Sequence, residues 1–167
     1  SLDDVLTSRE ALQVRPDARR YLDLGCGIGS VLLMVSERLE ADETVAIEAQ
    51  KVSFELAEQN VMRNGLKDSV RLIFGDFRGH PQLQNRDGGF DLITGTPPYM
   101  PLGEGTPSPD SQRAYARMEY RGGVEAYLEA IGALLGPEGR AVVCAEGRRP
   151  ERVTEEVGRF GLRVLAR

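Results

Sequence analysis

Three stretches of this chain carry residue types and spacings suited to chemistry. The first is Asp23-Leu24-Gly25-Cys26-Gly27-Ile28-Gly29-Ser30, where an apolar run from Tyr21 ends in an acid and then in glycine at three alternate positions. Glycines let the backbone turn with positive φ and approach a ligand with no Cβ in the way. The N–H groups of such a turn, and of a helix that starts after it, can face a polar or anionic group. The dinucleotide fingerprint G-x-G-x-x-G is met at Gly25 and Gly27 but fails at Ser30, where its third glycine would fall. The second stretch is Thr96-Pro97-Pro98-Tyr99, a hydroxyl, two rigid residues and an aromatic ring in sequence. The third is the segment 100–121, rich in proline, glycine and arginine, in which Arg113, Arg117 and Arg121 recur every four residues. On a helix those three would share one face, as a basic patch or as a plain solvated surface.

The elements around these stretches alternate. Thr7 and Glu10 have the spacing of a capping box, which predicts a short helix through Leu12. Strands are expected at about Arg20 to Leu24, Thr44 to Ile47 with Glu48 at its end, Val70 to Phe74, Phe90 to Thr94, and Arg140 to Ala145. Between them, Val31, Leu32, Val35 and Leu39 recur at helical spacing, as do Phe54, Ala57 and Val61. Val124, Tyr127, Leu128, Ile131 and Leu135 form a third stripe. Asn64-Gly65 reads as a helix stop with Gly65 at C′. Gly136-Pro137-Glu138-Gly139 reads as a turn, and residues 78–89 as a polar loop. A short helix over Glu151 to Arg159 and an apolar run from Leu162 to Ala166 end the sequence.

Strands alternating with helices imply an α/β fold, a Rossmann-like doubly wound parallel sheet with helices on both faces. Ligands bind such sheets outside the carboxyl ends of the strands, where the strand order reverses. Asp23, Glu48, Asp76 and Thr96 all fall at expected strand ends, so one shared site is expected.

Length and composition narrow the classes. The 167 residues suit a single domain, residues 1–167, and 41% hydrophobic with 28% charged residues is ordinary for a globular chain. No apolar run approaches membrane-spanning length and no signal peptide is visible, which points to a cytoplasmic protein. Cys26 and Cys144 offer neither a disulfide framework nor metal-ligand spacing, so both read as small buried residues in a reducing compartment, and no metal is expected. The lone His80, before Pro81, reads as a surface turn residue. A net charge of −5 weighs against a large nucleic-acid footprint and still allows a local basic patch.

Asp23-x-Gly25-x-Gly27-x-Gly29, with Glu48 ending the next strand, resembles motif I of the class I S-adenosylmethionine (SAM) methyltransferases. Thr96-Pro97-Pro98-Tyr99 resembles the Pro-Pro-Tyr signature of methyltransferases acting on planar nitrogen, with threonine where asparagine is commonest. The resemblance implies SAM as cofactor, held by Asp23, Gly25, Cys26, Gly27, Gly29, Glu48, Ala49, Asp76, Phe77 and Thr96. Glu48 would take the ribose hydroxyls and Asp76 the adenine. It assigns catalysis to Thr96, Pro97, Pro98 and Tyr99, and substrate contacts to Tyr99, Met100, Arg113 and Arg117. Tyr99-Met100-Pro101, Ala116-Arg117-Met118-Glu119, Gly122-Gly123-Val124-Glu125 and residues 135–140 are similar to the bacterial methyltransferases that modify adenine N6 in a valine tRNA. That implies RNA, specifically tRNA, as the partner. A small nitrogen heterocycle or a protein glutamine as substrate, and a non-catalytic SAM-binding partner protein, are the alternatives. The family closes its sheet with a C-terminal hairpin that is incomplete in this sequence, so an open sheet edge is expected. The oligomeric state is left open.

Overall fold

The computed structural model describes residues 1–84, 87–106 and 108–166. Residues 85 and 86 of the expected polar loop and residue 107 of the arginine-bearing segment lie outside the described residues. Five strands form one parallel sheet: β1 (Arg20–Leu24), β2 (Glu43–Glu48), β3 (Val70–Phe74), β4 (Phe90–Gly95) and β5 (Leu135–Val143). Their order is β3-β2-β1-β4-β5, so the chain reverses its direction of winding between β1 and β4. Leu24 lies level with Ile47 on one side and Gly95 on the other, which brings the carboxyl ends of the central strands to one edge.

Both faces of the sheet are covered, and the period of two along each strand sorts side chains between them. Tyr21, Ala46 and Leu92 pack with Val31, Leu32, Val35, Ala57 and Val61 from α2 (Ser30–Ser36) and α3 (Lys51–Arg63), and with Ala11 of α1 (Leu2–Val14). Leu22, Leu24, Val45, Ile47 and Ile93 pack with Tyr127, Ile131 and Leu134 of a later helix (Val124–Leu134), and with Phe77 and Leu83 from the loop after β3. The end of α3 is as expected. Gly65, at φ 72°, follows Asn64, and Leu66 and Gly65 donate their N–H groups to Val61 and Met62. That pair of bonds is the Schellman arrangement.

Several local expectations are revised. Helix α1 begins at Leu2, capped by Ser1 and Asp4, whereas Thr7 is buried inside it. Thr7 and Glu10 have the capping-box spacing, but the chain is already helical before them. The basic residues do not share one helix face. Helix α4 (Ser111–Arg117) stops at Met118, whose backbone is extended, so Arg121 lies beyond it. The next helix, α5 (Val124–Leu134), ends its stripe on Leu134, and Leu135 begins β5. Gly136-Pro137-Glu138-Gly139 lies within β5 as an irregularity, because Phe90 pairs with Leu135 and Leu92 with Arg140. Those glycines run close to backbone: a Cβ on Gly139 would stand 2.7 Å from the Phe90 carbonyl oxygen. His80 is half-buried, its ring against Gly75 and its Nδ1 without a hydrogen-bond partner, rather than on an exposed turn.

Toward the C-terminus, α6 (Glu151–Thr154) and a 3-10 turn (Val157–Phe160) replace the single expected helix. Leu162–Ala166 is not a strand, so among the described residues β5 is an open edge. No helix among the described residues is long and apolar enough to cross a membrane.

Candidate functional site

A cleft of about 760 Å³ opens at the carboxyl edge of the sheet, over the point where strand order reverses. Its floor is the turn after β1. Gly25, Gly27 and Gly29 take φ values of 61°, 56° and 88°, a conformation that L side chains rarely adopt. Around Gly27 nothing lies within 4 Å of where a Cβ would be, so this part of the turn faces open cleft. Gly25 and Gly95 are glycines for another reason: the Tyr127 ring lies on both of them. A Cβ on Gly95 would stand 2.7 Å from the ring, and one on Gly25 would collide with the hydroxyl. Phe77 meets that ring edge-on at 4.7 Å.

Three acids at the strand ends line the cleft in three different states. Asp23 is 2% exposed. Its Oδ1 accepts a 2.7 Å bond from the Thr94 hydroxyl, which also pairs with Tyr21 at 2.8 Å. Asp23 and Thr94 are register partners across β1 and β4, so the sheet itself sets this contact. Oδ2 is buried and has no partner. Burial pushes the Asp23 carboxyl up to about 7, against the opposing pull of the Thr94 hydroxyl and the Leu32 N–H. Glu48 turns back over the glycine turn, where Oε2 accepts from Gly27 N–H at 2.9 Å and Oε1 from Gln50 N–H at 2.6 Å. Burial raises its pKa too, and these backbone bonds and the charge of Arg121 oppose the rise. Asp76 is more open, and Arg78 holds it with two side-chain bonds and one backbone bond. Those bonds lower its pKa.

The raised Asp23 pKa has a consequence for stability. The folded protein binds a proton that the unfolded chain releases near pH 4. This contribution is therefore fully present below about pH 4 and is lost as pH rises through about 7. Thermal melts between pH 4.5 and 8 should show stability falling with pH, and Asp23→Asn should flatten much of that fall. Glu48 leaves a smaller residual slope of the same sign. An Asp23→Asn protein with the full wild-type slope would remove Asp23 as its source.

The far wall is the Thr96-Pro97-Pro98-Tyr99 loop leaving β4. Pro97 is buried and Pro98 half-buried, while Tyr99 is 47% exposed. No group among the described residues hydrogen-bonds the Thr96 hydroxyl. Beyond it, Met100 pairs through its backbone with Arg117 and Glu119, at 2.9 and 3.0 Å. Helix α4 then lies across the opening, and its Gln112 donates a 3.1 Å bond to the buried Ser53 of α3. Arg113, Arg117 and Arg121 all line the cleft, and none is within ion-pair distance of a carboxylate among the described residues.

Asp23, Gly25, Cys26, Gly27, Glu48, Ala49, Asp76, Phe77, the loop residues 96–99, Arg113 and Arg117 thus share one cleft. Gly29 and Met100 do not line it. Gly29 caps α2 near Ala57, and Met100 acts through its backbone bridge. Sequence reasoning did not single out Tyr127, Ser53, Gln112 or Tyr115 for the site. Tyr127 sits in the core stripe of α5, so nothing in its spacing separates a cleft residue from a core residue. Among the described residues no cluster of His, Cys, Asp and Glu could hold a metal ion.

Comparison with known proteins gives a consistent picture. The family model described as the methyltransferase small domain matches residues 6–106. A relative from Bacteroides thetaiotaomicron, named tRNA1(Val) (adenine(37)-N6)-methyltransferase, is 32% identical over 146 residues, covering 87% of this chain and 59% of its own. A Bacteroides fragilis protein of the same name is 32% identical over 74% of this chain and 51% of its own. The chain therefore spans little more than half the length of these curated relatives. Among solved structures, the ribosomal protein L11 methylase of Lactobacillus delbrueckii has a TM-score of 0.68 at 14% identity, covering 98% of this chain and 69% of its own. At that identity the likeness is one of fold.

Proposed function

Because this chain belongs to the methyltransferase small domain family, we propose that it is a SAM-dependent N-methyltransferase whose acceptor is the N6 amine of an adenine in RNA, a tRNA foremost. The observation that carries this reading is that Thr96, whose hydroxyl has no hydrogen bond among the described residues, lines one cleft with the exposed Tyr99 and the open glycine turn. The names of the relatives support the choice of adenine and of tRNA.

The residues present fit SAM. The buried, unpartnered Asp23 Oδ2 suits an ammonium group, whose approach would favour the ionised carboxylate. Each Glu48 oxygen accepts one backbone bond and keeps a lone pair for a ribose hydroxyl. Open space at Gly27 leaves room for the methionine portion. When bound, SAM supplies a methyl group on a sulfonium centre, electrophilic toward an amine. The exocyclic amine of adenine is a poor nucleophile because its lone pair is delocalised into the ring. An N–H donated to Thr96 Oγ1 and a second to a backbone carbonyl of the loop favour the pyramidal amine. Tyr99 presents a ring face for the flat base. Pro97 and Pro98 stiffen the loop, so little ordering entropy is lost on binding. Positioning then carries most of the catalysis.

The net charge of −5 and Thr96 in place of asparagine favour a second reading, transfer to a small nitrogen heterocycle or a protein glutamine. Methyl-transfer assays on tRNA, on small heterocyclic amines and on protein separate the two. A protein that binds SAM and methylates none of them would favour a non-catalytic SAM-binding role. The arginines provide an independent test. Charge reversal of Arg113 and Arg117 should weaken RNA binding. It should also flatten the salt dependence, by about 0.7 in the log–log slope for each phosphate of a single strand that is no longer neutralised. SAM affinity should not change. RNA binding that these changes leave untouched would favour the small-substrate reading.

A further inference from the structure

We propose that Tyr115, Tyr120 and Arg121 form a stacking platform for the nucleobase next to the one being methylated, on a single-stranded segment of RNA. The inference rests on the RNA reading above and adds how the same site takes the strand.

The chain has five tyrosines. Tyr21 and Tyr127 are buried in the two faces of the core. The other three, Tyr99, Tyr115 and Tyr120, are 47%, 40% and 41% exposed; Tyr99 and Tyr115 line the cleft, and Tyr120 stands against Tyr115 at its margin, on the strap formed by residues 99–121. The Tyr115 and Tyr120 ring centroids are 4.8 Å apart with their planes at 50°, and the Arg121 guanidinium lies 4.6 Å from the Tyr115 centroid. Rings that merely filled the end of α4 would be covered. Here two exposed rings lie together with a half-buried guanidinium that forms no ion pair among the described residues. Flat rings and guanidinium planes are the groups on which unstacked bases rest, and neighbouring arginines suit the phosphates between those bases.

The platform is also held in place relative to Tyr99. Met100, the residue after Tyr99, bridges to Met118, and Tyr120 donates its N–H to the Met118 carbonyl at 2.8 Å. On the other side Arg152 clamps Glu119 with bonds of 2.7 and 3.0 Å and Glu125 with bonds of 2.6 and 2.7 Å. A base on Tyr99 and a base on the platform would therefore meet surfaces carried by one pinned unit. The paired backbone leaves less of the strap to be ordered when a strand binds.

The test uses a short single-stranded RNA with a target adenine and a fluorescent aminopurine beside it. Wild-type protein should quench the aminopurine on binding. Tyr120→Ala should lose the quench and bind about tenfold more weakly, within the range for one stacked base. Tyr120→Phe should keep both, and all three proteins should bind SAM equally. Equal quench and affinity in wild type and Tyr120→Ala, or no quench in wild type, overturns the platform. Binding and quenching without methyl transfer would refute the methylation reading and support the platform. Methylation of RNA by Tyr120→Ala with unchanged rate and KM would overturn the platform and leave the methylation reading intact.

Discussion

A Gly27→Val protein is expected to bind SAM at least about a hundredfold more weakly than wild type, close to loss of binding by calorimetry. Two effects act together. The φ of 56° at Gly27 is unfavourable for a β-branched residue, at about 1–3 kcal/mol, so thermal stability should fall as well. The valine side chain would also occupy the open space that the turn presents to the cleft. Gly27→Ala separates the effects, since it carries similar backbone strain with far less bulk. Its affinity should lie between those of wild type and valine. Glu48→Ala makes a useful contrast. It removes the acceptor of the Gly27 and Gln50 N–H groups but leaves the space open, so it should weaken SAM binding by about 1–3 kcal/mol. A Gly27→Val protein with wild-type SAM affinity would place the cofactor away from this turn.

What is legible in the sequence is whatever one short stretch determines by itself. Tyr21 to Leu24 reads as a buried strand because both of its faces are covered, and the three glycines read as a turn because their φ values disfavour other residues. Asn64-Gly65 is readable for the same reason, since a Schellman ending depends on one glycine. The convergence of Asp23, Glu48, Asp76 and Thr96 follows from strand ends alone, because a parallel sheet brings those ends to one edge.

The illegible parts depend on partners distant in sequence. Gly136 to Gly139 has the composition of a turn, and only pairing with β4 makes it part of a strand. The four-residue spacing of Arg113, Arg117 and Arg121 assumes a continuous helix. The bridge from Met100 to Met118 ends that helix before Arg121, which instead meets the Tyr115 ring. The Gln112–Ser53 bond is also a tertiary fact, joining residues of α4 and α3, and so is the buried Thr94–Asp23 bond between β4 and β1. None has a period or a motif that would reveal it.

The proposed reaction assigns its substrate contacts to Thr96 and Tyr99. Thr96→Val keeps the branched shape of the side chain and removes its hydroxyl acceptor. It should lower the methylation rate up to about a hundredfold, the scale of one catalytic hydrogen bond, with SAM affinity nearly unchanged. Because no group among the described residues hydrogen-bonds that hydroxyl, its removal should leave folding stability close to wild type. A large rate loss could then be assigned to the substrate contact. Tyr99→Phe should cost little, since stacking uses the ring, whereas Tyr99→Ala should remove most of the activity. Thr96→Asn restores the commoner residue of this motif and should be tolerated if the acceptor is an adenine amine. The informative failure is a Thr96→Val enzyme with full activity on RNA. The hydroxyl would then hold no substrate proton, and the amine would have to be oriented by the loop backbone and the Tyr99 ring alone.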